Sequence, residues 1–265
     1  MKKIAALLGA VGFIGMAGSA GAIQYDYDWS FLGTTITANS GLNAAACGSS
    51  AAECQLVFAS TGDTPVAALK ARAYSSTSST TDGGNFIGAD INADSLTGIG
   101  IDNLTADSEP NRGTYVDNAG ATDVLVLEAP TNNFAWESLL LGITTTEFNR
   151  DNGNAVDLQI HVGGSGADKN FTSLCFSGCT GTNVDLLTDG FTSLGSISSD
   201  ATTPIAFGSN AVGRYLVVSG ALGGDNDFFR VASVGGHTVP SPQTLPLLAL
   251  GLAGMWCVMR RRVSA

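Results

Sequence analysis

The sequence has few histidines and few basic residues. Its 265 residues include 2 His and 12 Lys or Arg against 23 Asp or Glu, which gives a formal net charge of −11. Nucleic acid repels an acidic chain, so we predict no nucleic-acid partner. A Ser-His-Asp triad would depend on His161, because His237 lies just before Pro240 at an end that we expect to be flexible.

Catalytic sequence motifs are also missing. The run Gly163-Gly164-Ser165-Gly166-Ala167 lacks the final glycine of a nucleophile elbow, and there is no phosphate-binding loop of the Walker type. A carboxylate pair for glycoside hydrolysis stays open, because such pairs are assembled by the fold and not by sequence spacing. We therefore predict that the protein is not an enzyme and assign no catalytic residue.

The N-terminus has the pattern of a secretory signal peptide. Lys2 and Lys3 precede an apolar stretch over residues 4–17, which is followed by the small residues Ala20-Gly21-Ala22. This pattern predicts a signal peptide over residues 1–22 with cleavage before Ile23. An uncleaved membrane anchor is the alternative.

The C-terminal tail, residues 239–265, has three parts in a fixed order. An extended Pro-x-Pro entrance is followed by an apolar run over residues 245–259 and then by an arginine cluster; the named residues are Val239, Pro240, Ser241, Pro242, Arg260, Arg261 and Arg262. A helix of that length reaches ~22 Å, short of the ~30 Å hydrocarbon core. It can span a thinned bilayer, with the arginines on the cytoplasmic side. A buried core helix is the alternative.

This order of parts resembles the PEP-CTERM sorting signal of Gram-negative bacteria. The usual motif of that family is Val-Pro-Glu-Pro, and here Ser241 stands in the place of the Glu. The resemblance implies an exported protein that is held transiently in the membrane and processed by the exosortase machinery. It also implies a cell-surface or extracellular product, associated with exopolysaccharide or biofilm.

Removal of both ends makes the protein more acidic. All 23 acidic residues lie in the body over residues 23–238, with seven basic residues, so its net charge is −16. An exported body favours disulfides, and sequence proximity predicts the pairs Cys47–Cys54 and Cys175–Cys179. A four-thiolate zinc site is the alternative, although neither pair has the spacing of a zinc knuckle.

The body reads as many short strands. The predicted strands are 25–37, 55–59, 67–74, 86–91, 98–104, 123–128, 136–146, 155–162, 215–219 and 228–234. Weak helical candidates occur only at 44–52 and 65–71. The sequence therefore predicts a single all-β ectodomain of the β-sandwich or jelly-roll type.

A second resemblance covers residues 98–234. The segments Tyr115-Val116-Asp117-Asn118, Tyr215-Leu216-Val217-Val218 and Asn226-Asp227-Phe228-Phe229-Arg230-Val231 are similar to exosortase-dependent surface proteins with a jelly-roll-like ectodomain. The resemblance implies surface placement and adds no reaction.

A structural calcium ion or a sugar ligand would indicate an adhesion module instead. Asp90, Asn92 and Asp94 alternate like the first ligands of a calcium loop, but Ser95 and Ile101 depart from the EF-hand pattern. The loops 149–154 and 223–227 offer further oxygen ligands. Candidate residues for a sugar platform are Trp29, Trp136 and Tyr115. The alternative function is thus a carbohydrate-binding or calcium-dependent adhesion module; we predict no other cofactor.

Overall fold

The computed structural model describes residues 26–33, 55–62, 67–76, 86–102, 115–117, 122–142, 156–172, 174–176, 184–186, 188–199, 203–221 and 227–239. These residues belong to one compact unit, Tyr25–Val239. A second unit comprises Met1–Gln24 and Pro240–Ala265, which lie outside the described residues.

The described chain is all-β, as predicted. Its strands are β1 (Asp26–Ser30), β2 (Gln55–Ala59), β3 (Thr61–Gly62), β4 (Ala68–Ser76), β5 (Phe86–Asp94), β6 (Gly98–Asp102), β7 (Val116–Asp117), β8 (Asp123–Glu128), β9 (Phe134–Leu141), β10 (Val156–Gly163), β11 (Leu174–Cys175), β12 (Val184–Asp185), β13 (Phe191–Ser199), β14 (Ile205–Ala206), β15 (Tyr215–Gly220), β16 (Phe228–Phe229) and β17 (Val231–Thr238). No helix occurs among the described residues.

Ten antiparallel strands form a nearly closed, barrel-like sheet. Their order is β13-β10-β15-β8-β4-β5-β6-β17-β9-β14, so the two end strands follow each other in the chain. Three strands add to this path: β2 pairs with β4, β1 pairs with β17, and β3 pairs with β1. The first and last strands of the body are thus neighbours, with Asp26 opposite His237.

The main apolar core lies on one face of this sheet. Strand β10 contributes Val156, Leu158, Ile160 and Val162, the alternating set that the sequence predicts. Strands β1 and β9 contribute large aromatic rings to this core, among them Trp29, Phe134 and Trp136. The ring centroid of Phe134 lies 5.5 Å from that of Trp29 and 4.9 Å from that of Trp136.

A second apolar cluster lies on the opposite face of β4, β8 and β15. There Tyr74, Val124, Val126 and Val217 pack with described residues of the chain between β10 and β13, which we name the covering segment (residues 164–172, 174–176, 184–186 and 188–190). All six residues of β8 and all six of β15 are buried because both faces are covered. This double burial explains the apolar run at residues 124–127.

Several sequence expectations need correction. The weak helix at residues 65–71 is wrong where the structure describes it, because Leu69 and Ala71 alternate into the core from strand β4. Predicted strand 228–234 is interrupted at Arg230 between β16 and β17. His237 does not lie in a flexible end but within β17, paired with β1 and β9. Candidate helix 44–52 lies outside the described residues.

Candidate functional site

The most organised polar feature is a charged cluster beside the second apolar cluster. It consists of Lys70 and Arg72 on β4, Glu128 at the end of β8, Arg214 before β15, and Asp168 of the covering segment. Antiparallel pairing of β4 with β8 places Lys70 directly opposite Glu128, so the charged side chains of the two strands lie close together. Sequence alternation on β4 directs Arg72 to the face opposite Leu69 and Ala71.

Glu128 is the centre of the cluster. Its carboxylate lies 3.3 Å from Arg72 Nη2 and 2.8 Å from Arg214 Nη2, and it also accepts a hydrogen bond from Arg214 Nε at 2.9 Å. The Glu128 side chain is 1% exposed and the Arg72 side chain 3%. Both charges are shielded from water, so removal of either one leaves a buried charge that is poorly compensated.

Asp168 joins the covering segment to this centre. Its Oδ1 lies 2.6 Å from both Lys70 Nζ and Arg72 Nη2. The hydrogen bond from Lys70 lowers the Asp168 pKa, and the nearby Arg72 charge adds to the effect. The backbone of Asp168 adopts a positive φ of 55°, a conformation that Asp tolerates better than most residues. The exposed carboxylate is therefore held as an anion at the tip of a tight turn.

Tyr215 also holds this turn on the sheet through two hydrogen bonds. Its hydroxyl donates to the Gly166 carbonyl at 2.7 Å and accepts from the Lys169 N–H at 3.0 Å. Burial raises the pKa of Tyr215, so the hydroxyl keeps the proton that it donates. Arg72 Nη1 also donates to the Lys169 carbonyl at 3.1 Å. Together these contacts fix the start of the covering segment on the sheet.

The chemistry of the charged cluster is that of an anchor. Its ions are paired with one another, and its hydrogen bonds run to backbone groups of one loop. No sequence motif pointed to it. The available signals were Lys70 and Arg72 alternating with apolar residues in β4, and Glu128 directly after the apolar residues 124–127.

The two histidines do not meet a catalytic constellation among the described residues. His161 lies on the outer face of β10, buried under the covering segment, with its ring centroid 5.8 Å from that of Phe176. Burial lowers its pKa to about 4, so the ring is neutral near pH 7. His237 Nδ1 lies 2.8 Å from Glu137 Oε1 at the surface.

Asp94, the last of the three calcium-ligand candidates on β5, stabilises a turn through its carboxylate. Asp94 Oδ1 accepts hydrogen bonds from the N–H groups of Leu96 and Thr97 at 2.9 and 3.0 Å, and so caps the turn into β6. The Leu96 bond leads in lowering the Asp94 pKa. Burial raises the pKa of Asp90, which shares the outer face of β5. No group of three or more His, Cys, Asp or Glu that could hold a metal occurs among the described residues.

The remaining candidate loops are described only in part. Residues 149–154 and 223–226 lie outside the described residues. Asp227, the last residue of the second loop, accepts a hydrogen bond through Oδ1 from the Asp157 N–H at 3.0 Å, and so holds the start of β10.

Two of the three candidate sugar-binding aromatics are core residues. Trp29 and Trp136 are buried, and their indole N–H groups donate to the carbonyls of Ala67 and Gly213 at 3.2 and 3.0 Å. A platform for sugars built on them is therefore wrong. Tyr115 is half-buried beneath the Arg230 guanidinium, whose carbon lies 5.0 Å from the ring centroid.

Most of the predicted sorting and disulfide residues lie outside the described residues: Pro240, Ser241, Pro242, Arg260, Arg261, Arg262, Cys47, Cys54 and Cys179. Val239 is described, and its N–H donates to the Asn133 carbonyl at 2.7 Å. Cys175 is buried and disulfide-bonded, with its partner beyond the described residues. Within the described part of the chain, no helix has the length and apolar character needed to cross a membrane.

Comparison with known proteins adds no identification. No family model, no curated protein and no solved structure matches this chain.

Proposed function

We propose that this chain is an exported surface or extracellular-matrix protein of a Gram-negative bacterium, sorted and processed by an exosortase. In this proposal residues 239–265 anchor the protein in the membrane only until they are cut. The mature body then acts at the cell surface or outside the cell, in association with exopolysaccharide or biofilm, and has no catalytic role.

The observation that carries the proposal is the pairing of β1 with β17. The two strands pair over five positions, from Asp26 opposite His237 to Ser30 opposite Ser233. Strand β1 begins three residues after the predicted signal cleavage before Ile23, and β17 ends at Thr238, two residues before Pro240. Every described strand therefore lies between the two predicted cuts, and removal of both segments leaves all pairs among the described strands in place.

We further infer that the barrel-like sheet is a jelly-roll-like sandwich. Strands β4, β8, β10, β13 and β15 would form one layer, and β1, β9 and β17 the other. The main core supports this arrangement, since it joins Leu127 and Leu216 of the first set to Trp136 and Val234 of the second. This architecture matches the ectodomain implied by the resemblance over residues 98–234.

The sorting proposal is tested by the mass and location of the product. The full chain is expressed in a Gram-negative host that has an exosortase, and in the same host with the exosortase gene deleted. We expect a surface or released product that begins at Ile23 and ends near Pro242 in the first host, and an uncut tail in the second. A surface product that extends to Ala265 in both hosts overturns the proposal.

The arginine cluster supplies a second test. Replacement of Arg260, Arg261 and Arg262 by Gln removes the positive charge that sets the topology of the tail. We expect the triple variant to keep its tail or to be mislocalised. Correct cutting and location of this variant would contradict the role given to the arginines.

The adhesion alternative has a distinct readout. A calcium-dependent module gains stability when the ion binds the folded state, so its unfolding midpoint rises with added calcium. We expect no rise, and a rise of several degrees with calcium but not magnesium would favour the adhesion module.

A further inference from the structure

Strand β13 is a long edge strand. It has nine residues, Phe191–Ser199, and β10 is its only neighbour among the described strands. The other strands of this sheet with a single described neighbour are shorter: β2 has five residues, and β3 and β14 have two each. An edge strand presents backbone N–H and C=O groups that can pair with another chain.

The side chains of β13 do little to block such pairing. The strand has the sequence FTSLGSISS, without a charged residue or a proline. Thr192, Ser193, Ser196 and Ser198 are exposed. Native edge strands are commonly protected by charges, prolines or bulges, and β13 has only the bulge, at Leu194 and Gly195 opposite the Ile160–His161 step.

Beyond the bulge the edge is regular. Residues 195–198 pair in unbroken register with β10, from Gly195 opposite Ile160 to Ser198 opposite Asp157. A cleft of about 540 Å³, lined by residues 197–199 and 203–206, separates this end of β13 from β14. The cleft lining contains no charged residue, and β14 does not pair with β13.

We propose that residues 196–198 form an antiparallel strand pair with the same residues of a second copy, about a two-fold axis at Ile197. In this register Ile197 faces Ile197 and Ser196 faces Ser198. Closed two-fold dimers are the commonest symmetric assemblies, and an antiparallel pair of identical strands has this symmetry.

Symmetry of the segment fits a second copy as the occupant, because Ser196-Ile197-Ser198 reads the same in both directions and each side chain then faces its like. The body carries a net charge of −16, so two copies repel each other over most of their surface. Residues 191–199 carry no charge, and the proposed register brings no two acidic side chains opposite each other within the strands. Two copies can therefore meet at this edge without like charges opposite each other within the paired strands.

The contact is small and the dimer is correspondingly weak. A pair of strands this short buries well below the ~1,000 Å² of a stable interface. Association is thus expected only at high protein concentration, or where many copies are held together on one surface.

Sedimentation velocity of the full chain in mild detergent tests the proposal, from about 10 μM to about 1 mM, the range of a weak complex. The variant S196K/S198K places like charges opposite each other across the two-fold axis. The variant S196K/S198E places a lysine opposite a glutamate instead. The matched control V57K/A59K adds the same two charges at exposed positions two residues apart on β2.

We expect the wild-type protein, V57K/A59K and S196K/S198E to form dimers as concentration rises, and S196K/S198K to associate at least tenfold more weakly. A wild-type protein that sediments with the same coefficient over the whole range overturns the proposal. The proposal is also overturned if S196K/S198K dimerises like the wild type, or if S196K/S198E dimerises as weakly as S196K/S198K.

Discussion

Arg72 Nη2 lies 3.3 Å from Glu128 Oε2 in an ion pair that is almost fully buried. The pair connects two neighbouring strands of the sheet, and Asp168 connects it to the covering segment. A buried charge that loses its partner is costly, because water cannot reach it to compensate. Glu128 also accepts a hydrogen bond from the Asp168 N–H at 3.3 Å, so it contacts the covering segment directly.

The substitution Glu128→Gln should lower the free energy of unfolding by about 3–5 kcal/mol, because it removes the buried carboxylate that pairs with both Arg72 and Arg214. Urea titration measures the change. The matched control is Glu137→Gln, which removes an exposed partner of His237 and should cost less than about 1 kcal/mol. Equal losses in the two variants would contradict the role of burial.

Acid should destabilise the protein through His161. The pKa of this ring is about 4 in the folded chain, against the ordinary value of 6.5, so the unfolded state binds the proton first. The contribution of the neutral His161 ring to the free energy of unfolding is complete above pH 6.5. It is lost as the pH falls toward 4, which lowers the free energy of unfolding by up to about 3 kcal/mol. Urea unfolding at pH 7.5 and 4.5 should show this loss in the wild type and a smaller loss in His161→Leu.

The control for this measurement is the other histidine. His237→Gln should keep the wild-type loss, because His237 is not buried under the covering segment. An acid loss that is the same in His161→Leu and in the wild type would place the titrating groups elsewhere.

The disulfide of Cys175 should join it to Cys179. A loop this short gives about 2 kcal/mol of stabilisation in the chain-entropy account. The double variant Cys175→Ser with Cys179→Ser should show a loss of that order in urea. Peptide mapping without reduction identifies the partner, and a bridge from Cys175 to Cys47 or Cys54 would refute the pairing.

The body should fold without its terminal segments. A protein of residues 23–238 should give a β-type circular dichroism spectrum and one cooperative unfolding transition, because it retains every described strand. Residues 23–230 should fail to fold, since that cut removes β17, the partner of β1, β6 and β9. A shorter protein that unfolds like the longer one would contradict the central place of β17.

Strands with an apolar pattern were predictable from the sequence. Predicted strand 123–128 matches β8 in both bounds, and the alternating residues of β10 face the main core as expected. These predictions succeed because burial of side chains decides the pattern, and the pattern is local. The bounds of β9 were less predictable: the sequence predicts 136–146, whereas the strand runs from Phe134 to Leu141, and residues 143–146 lie outside the described residues.

Strand β13 was missed for the opposite reason. Its Ser, Thr and Gly residues resemble a loop, and only pairing with β10 makes it a strand. The charged cluster was missed because its members are distant in sequence: the Arg72–Asp168 contact joins residues 96 positions apart. Such a contact depends on the register of several strands, and no local pattern encodes that register.

The pairing of β1 with β17 has a consequence for the order of folding. Most of the chain must be available before the first strand can pair with the last, and contacts so remote in sequence form slowly because a long loop must close first. During synthesis, β1 therefore waits without its main partner until β17 has left the ribosome. The sheet therefore stays incomplete until synthesis of the body is nearly finished, which is compatible with the proposed export through a channel that passes extended polypeptides.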